Sequence, residues 1–287
     1  MLQLTARAKV NLTLRITGKR GDGYHELQSL ICFPATGDQL EIAEAEEISL
    51  ELDGPFAFAL GPENLVLRAA EALRAQAGIT RGARLRLTKR LPVAAGIGGG
   101  SADAAATLKG LARLWEIPEG AVDLPALALS LGADVPVCLF EKPCLVSGIG
   151  ENLEALAPLP SLSMVLVNPG RALSTAAVFA AHWEDFSSLE DWADLSATAT
   201  DFLARLAAST NDLEAAACRL LPEIDEVLAC LWAVQGCCLA RMSGSGATCF
   251  GLFTEPDAAR EAASMLASEA PGWWVVTAPL DDAEALH

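Results

Sequence analysis

Residues 83–107 read ARLRLTKRLPVAAGIGGGSADAAAT, and the fold turns on how this stretch divides. Its first part alternates. Leu85, Leu87 and Leu91 share one face of an extended segment, and Arg84, Arg86 and Arg90 share the other, the period of a half-buried strand. Lys89 falls on the apolar face, which asks for a buried anion or a strand-end position. Pro92 closes the strand. The loop AAGIGGG then brings Gly96, Gly98, Gly99 and Gly100 to the start of an alanine-rich helix expected from Ser101 to about Trp115.

Glycine admits left-handed backbone and lets a ligand approach the main chain closely. Free amides at a helix start, with the positive end of its dipole, form an anion cradle. Ser101 suits an N-cap or a hydroxyl on a phosphate, and Asp103 suits the first turn. A dinucleotide fingerprint of G-x-G-x-x-G fits poorly, because Ser101 stands at its last position. A Walker A loop requires G-K-[ST], which is absent. A phosphate loop of another kind and a plain glycine linker before a capped helix both stay open on these residues alone.

Outward from this stretch, residues 9–16 alternate, with Val10, Leu12, Leu14 and Ile16 on one face and Lys9, Asn11, Thr13 and Arg15 on the other. A turn follows in GKRGDGYHE, then strand-like pieces at 27–33, 39–43 and 48–52. Asn64 opens an amphipathic helix that Gly78 ends. A further helix at 125–131 ends at Gly132. The second half reads as strand (MVLVNPG), helix (STAAVFAAHW), helical residues 213–235 with a break at Pro222, strand–glycine turn–strand (CCLARMSGSGATCFGLF), helix and a last strand. Strands and helices mix without regular βαβ repetition, so the class expected is α+β. Two domains are expected, 1–150 and 151–287.

The charge shifts at the same place. Residues 1–150 carry 15 basic and 17 acidic side chains, net −2, and residues 151–287 carry 5 and 20, net −15. A total of −17 argues against general nucleic-acid binding. A phosphate-rich small molecule would find its positive groups mainly in the first half. No run of 18 apolar residues predicts a membrane span, and Arg7, Lys9, Asn11 and Arg15 interrupt any signal-peptide core. The eight cysteines form no C-x-x-C pair and have apolar flanks, as in a reduced cytoplasmic protein. With only His25, His182 and His287, histidine-based zinc or Ser-His-Asp chemistry has little material.

The pattern P-x-x-x-G-x-G-G-G-S before an alanine-rich helix resembles the phosphate loop of the GHMP kinases. Three more stretches are similar to that family in the same order: AKVNLTLRITGKRGDGYHELQSL at 8–30, GADVPVCLF at 132–140 and RMSGSGATCFGLF at 241–253. The stretch 8–30 resembles the diphosphocytidyl branch, and so does the phosphate loop, which has Gly99 and Gly100 where many relatives have a Ser-Ser pair. The resemblance implies a two-domain GHMP kinase fold: a ribosomal-protein-S5-like N-terminal α/β domain, a C-terminal α+β domain and an active site in the cleft between them. It implies transfer of the ATP γ-phosphate to the 2-hydroxyl of a cytidine-diphosphate-linked methylerythritol in non-mevalonate isoprenoid precursor synthesis. ATP and Mg²⁺ are the cofactors implied, with no protein ligand for the metal assigned, and neither nucleic acid nor membrane is an expected partner.

By the same resemblance Asp134 is the general base, and Lys9 lies beside it to position the hydroxyl and steady charge. Asn11, Tyr24 and His25 hold the cytidine end of the substrate, and Thr175 and Phe179 complete that pocket. Asn64, Leu65 and Lys89 serve ATP on its nucleoside side, Gly96, Gly98, Gly99, Gly100 and Ser101 wrap its phosphates, and Pro92 is a further ATP-binding residue. Read singly, the same residues have blander roles. Asp134 is a turn cap, Lys9 a solvated strand lysine, Tyr24 and His25 a loop pair, and Phe179 a core residue of its helix. Two other functions stay open: another GHMP small-molecule kinase of homoserine or mevalonate type, and a catalytically silent nucleotide-binding regulator. The nucleobase-suited turn disfavours the former, and the presence of both Lys9 and Asp134 disfavours the latter.

Overall fold

The computed structural model describes residues 1–61, 64–182, 185–192 and 198–280, so His287 lies outside the described residues. The first strands are β1 (Leu2–Arg7), β2 (Val10–Asn11), β3 (Arg15–Lys19), β4 (His25–Cys32), β5 (Gly37–Ala45) and β6 (Ile48–Asp53). Helix α1 (Leu65–Gln76), strand β7 (Gly82–Thr88) and helix α2 (Gly99–Leu114) follow, then the short helices α3 (Leu124–Leu131) and α4 (Val135–Phe140). Next come β8 (Cys144–Gly148), β9 (Asn152–Ala155), β10 (Ser163–Asn168) and α5 (Thr175–Ala181). The remainder is α6 (Ala199–Ala208), α7 (Glu214–Leu220), α8 (Glu223–Ala233), β11 (Leu239–Met242), β12 (Cys249–Phe253), α9 (Pro256–Glu269) and β13 (Trp274–Pro279).

Two compact units interleave along the chain. One holds Met1–Ala8, Gly37–Val93 and Gly98–Glu141; the other holds Lys9–Thr36, Ala94–Ile97 and the chain from Lys142 onward. The first is built on the sheet β1-β5-β7-β6. Its alternation decides its faces. The register Leu40↔Leu87 and Ile42↔Leu85 stacks four side chains that are fully buried, while Arg84 and Arg86 point to solvent. Each such leucine or isoleucine is worth roughly 1.5–3 kcal/mol of burial. Helix α2 covers this face against β1 and β5, and α1 packs beside it. Gly110 lets α2 approach Ile42 and Leu4, since a Cβ there would sit 3.0 Å from Leu4 Cδ1. Helix α1 has the ends its sequence foretells: Asn64 Oδ1 accepts from the Leu67 amide, and Gly78 takes φ +63° beyond its last turn.

The second unit has an antiparallel sheet β11-β12-β10-β13 and a second sheet β2-β4-β8-β9 with β3 on the flank of β4. Val165, Val167, Met242, Cys249 and Phe253 form its core with Ala217, Ile224, Leu231, Ala259 and Leu266 from α7, α8 and α9.

Two local expectations need correction. Residues 9–16 do not make one half-solvated strand. Lys9, Asn11 and Thr13 are buried like their apolar neighbours, because this backbone bonds to several partners: Leu12 N to Leu30 O, and Leu14 N to Thr210 O. Helix α2 starts at Gly99, not Ser101, so Gly98 is its N-cap and Asp103 lies beyond the first turn. Strands β8 and β9 and helix α6 were not expected from the sequence, although α6 is amphipathic, with Phe202 and Leu206 on its buried face. Among the described residues no helix is long and apolar enough to cross a membrane.

Candidate active site

The glycine loop leaves the first unit at Val93, runs through the second as Ala94–Ile97 and re-enters the first at Gly98. Gly98 takes φ +63° and no side chain caps α2. The amides of Gly99, Gly100 and Ser101 therefore have no partner within the helix and sit at the positive end of a 16-residue dipole. The Ala94–Ile97 segment is pinned on both sides within its own unit. Ile97 O accepts from Lys9 N at 2.9 Å, and Ala95 O accepts from Thr248 N at 3.1 Å. Ser243 Oγ donates to Gly96 O at 3.0 Å and accepts from Asn11 N at 3.1 Å. At φ +74°, a Cβ on Gly96 would stand 2.6 Å from Ser243 O and 2.7 Å from Gly246 O. Only glycine fits this crossing.

The glycine turn Ser243–Thr248 is itself held from behind. Asn211 Nδ2 donates to Met242 O and Gly244 O, each at 2.8 Å. Arg241, on the strand entering the turn, donates to the carbonyls of Leu12, Leu206 and Ser209. Sequence reasoning reached the turn but missed Ser243, Asn211 and Arg241, whose partners lie 31 to 232 residues away.

In the first unit, Lys89 finds the buried anion that its place on the apolar face requires. Its ammonium, 1 % exposed, lies 2.5 Å from Asp38 Oδ2 and 2.7 Å from Asp103 Oδ2. Those carboxylates raise its pKa against the opposing effect of burial, the largest single influence. Burial pushes Asp103 up to about 8 even with Lys89 beside it. Pro92 is buried at the loop's entry, and Leu65 Cδ1 lies 3.8 Å from the position of a Cβ on Gly100. Asn64 is the cap of α1, and Lys89 makes its bonds to carboxylates.

Asp134 precedes α4 and is exposed, and its side chain makes no capping hydrogen bond to that helix. Lys9 is 6 % exposed, and Asn11 is 5 % exposed with Nδ2 donating to Ser29 Oγ at 2.7 Å. Asn11 Oδ1 is buried with no hydrogen bond, an acceptor poised for a donor.

The aromatic residues also meet. His25 and Phe179 have ring centroids 5.3 Å apart at 32°, although 154 positions separate them in the chain. Tyr24, next to His25, is 63 % exposed. Burial first, then the charges of Lys19 and His182, lower the His25 pKa, so a neutral ring faces Phe179 at pH 7. Thr175 Oγ1 shares a 2.8 Å hydrogen bond with Ser245 Oγ, linking the start of α5 to the glycine turn.

Residues 64–142 match the GHMP kinases N terminal domain, and residues 186–272 match the GHMP kinases C terminal domain. The chain is 53 % identical over 275 residues to the 4-diphosphocytidyl-2-C-methyl-D-erythritol kinase of Parvibaculum lavamentivorans, covering 94 % of this chain and 95 % of that protein. It is 51 % identical over 278 residues to the kinase of the same name from Paramagnetospirillum magneticum, covering 96 % and 98 %. A crystal structure of 4-(cytidine 5'-diphospho)-2C-methyl-D-erythritol kinase superposes with a TM-score of 0.80 at 38 % identity, over 96 % of this chain and 98 % of the other. With the glycine cradle and the paired rings already in place, this chain is a small-molecule kinase of the GHMP fold and belongs to the 4-diphosphocytidyl-2-C-methyl-D-erythritol kinase family.

Proposed function

We propose that this protein transfers the γ-phosphate of ATP to the 2-hydroxyl of 4-diphosphocytidyl-2-C-methyl-D-erythritol, a step in isoprenoid precursor synthesis. Identity above 50 % to kinases of that name across nearly the whole chain carries the reading. The chemistry of the residues supports it. Phosphoryl transfer asks a protein for positioning and charge stabilisation rather than covalent chemistry. The uncapped start of α2 offers Gly98, Gly99, Gly100 and Ser101 to the phosphates, with Gly96 shaping the approach. Asn64, Leu65 and Pro92 serve the nucleoside side. Lys89 serves it indirectly, since its ammonium is spent on two carboxylates.

Asp134 accepts the proton from the 2-hydroxyl as the oxygen attacks the γ-phosphorus. Lys9 orients that oxygen and steadies the charge it gathers. Asn11 Oδ1 takes a substrate hydroxyl donor. Tyr24, His25 and Phe179 receive the cytosine ring, which has a π face and a hydrogen-bonding edge, and Thr175 completes that end. Among the described residues no three His, Cys, Asp or Glu side chains come together as a metal site, and Asp38 and Asp103 are engaged by Lys89. Mg²⁺ would come with the nucleotide, held chiefly by phosphate oxygens and water.

The proposed division at 150 falls between the two matched stretches, 64–142 and 186–272, although residues 9–36 and 94–97 pack in the compact unit that holds the chain from Lys142 onward. No disulfide joins the described cysteines, which supports work in the cytoplasm. An ADP-release assay tests the activity. ADP should form only when ATP and the cytidyl substrate are both present. Equal turnover of methylerythritol 4-phosphate, homoserine or mevalonate would overturn the assignment.

A further inference from the structure

The buried cluster of Lys89, Asp38 and Asp103 sits at the base of the glycine loop, and the reaction as described gives no work to either aspartate. Asp38 lies near the start of β5, 0 % exposed. Its Oδ1 accepts from the backbone amides of Arg90 at 2.6 Å and Leu91 at 2.8 Å, and its Oδ2 accepts from Lys89 Nζ. It therefore grips the strand end that enters the loop. Asp103, in the second turn of α2 and 2 % exposed, accepts from the same ammonium. It grips the helix that leaves the loop. Lys89 Nζ also stands 3.1 Å from the position of a Cβ on Gly99, the first residue of α2, so the ammonium packs directly under the helix start.

We propose that Asp38 and Asp103 are positioning residues for phosphate binding, which through the Lys89 ammonium tie the entry of the loop at residues 89–91 to its exit at Gly99–Asp103. This rests on the reading above that the loop takes the nucleotide phosphates. An amide cradle works by direction, so it gains from anchors that fix both of its ends before the nucleotide arrives. A buried ammonium with two carboxylates is a costly way merely to fill space; a hydrophobic side chain would serve as well. Two carboxylates beside one ammonium carry an excess negative charge that burial disfavours. Asp103 resolves it by holding a proton, in keeping with its pKa near 8, and its Oδ1 is the oxygen without a hydrogen-bond partner. Asp38 has three donors pointing at it and must stay an acceptor at both oxygens.

The two aspartates should thus answer differently to substitution. Asp103→Ala places alanine in a helix already rich in it and removes one anchor. It should raise KM for ATP and Kd for ADP about tenfold, the loss of one charge-assisted hydrogen bond, with KM for the cytidyl substrate within about twofold. Asp103→Asn keeps the acceptor and the neutral charge, and should restore both ATP constants to within about threefold of the wild type. Asp38→Asn turns an N–H toward a donor and should lose ATP affinity at least as far as Asp103→Ala. Stability gives a second readout. With a raised folded pKa, the contribution of Asp103 is full below 3.8 and is lost as pH rises toward about 8, Lys89 and Asp38 being the charged groups beside it. The Tm of Asp103→Asn minus that of the wild type should therefore grow between pH 5 and pH 8.

Kinetics of the purified full chain, calorimetric titration with ADP and thermal melts decide the matter. Unchanged ATP and ADP constants in folded Asp103→Ala would overturn the proposal, as would a fall in kcat alone that tracks the folded fraction. Failure of Asp103→Asn to restore ADP affinity would overturn it as well. A wild type that binds ADP yet does not phosphorylate the cytidyl substrate would sink the proposed function only, and the ADP constants would still judge the anchors.

Discussion

The proposed nucleotide side and the proposed nucleobase side of this kinase are held by opposite means. Around Lys89, three ionisable side chains no more than 2 % exposed are locked at 2.5–2.7 Å, and backbone amides join them. Around His25 and Phe179, two rings touch at a tilt, and Tyr24 beside them is 63 % exposed. The contrast suits the ligands proposed for the two sides. Phosphate oxygens are read by the direction of N–H groups, and an amide that must turn to meet them loses most of its value. A base is read first by its flat face, and rings that slide a little still cover it. Rigidity is concentrated where direction matters.

The largest expected effect belongs to a residue of neither device. Asp134→Asn should lower kcat by roughly 10²–10⁴ while both KM values stay near those of the wild type. Steady-state rates within a few-fold of the wild type would leave positioning alone to explain catalysis. Next comes the rigid side. Gly98→Val forces a β-branched residue to φ +63°, a penalty on the order of 1–2 kcal/mol or more, so affinity for an ATP analogue should fall about tenfold or further. Calorimetry beside circular dichroism checks it; full affinity in a folded variant would make the loop a mere linker and erase the contrast.

The softer side should respond more selectively. Tyr24→Ala or Phe179→Ala should each raise KM for the cytidyl substrate about tenfold, at on the order of 1–3 kcal/mol per stacked base, with KM for ATP unmoved. If both KM values rose together, the two sides would not be separable. The smallest effect is in pH. His25 has a folded pKa below 6.5, so its contribution to stability is present above that value and is lost as pH falls through the lowered one. KM for the cytidyl substrate should be flat above neutrality and rise roughly threefold in acid as the ring charges beside Lys19, a rise that His25→Gln should abolish. A profile unchanged by that substitution would remove His25 from substrate recognition.

Much of this was written locally. The alternation of Leu85 and Leu87 against Arg84 and Arg86, the Asn64 cap, Gly78 and the glycine run before α2 are consequences of neighbours a few residues apart, so periodicity and turn chemistry expose them. The four similar stretches named the family for the same reason, since each is contiguous. Lys89 showed itself as an anomaly in a two-residue period, and the demand for an anion was legible although the anion's identity was not.

Tertiary structure alone decided the rest. Asp38 is 51 positions from Lys89, and nothing in its own surroundings in sequence marks it as the partner. The pairing of His25 with Phe179, the grip of Ser243 on Gly96 and the burial of Lys9 and Asn11 on what looked like a polar face all depend on segments brought together from far along the chain. The start of α2 two residues early is of the same kind. Glycine is a poor helix former, so Gly99 and Gly100 read as loop until the inward-facing Asp103 and the ammonium beneath them set where the first turn begins. Local pattern states which residues want burial, a cap or a counter-charge; only the packed chain supplies which distant group provides it.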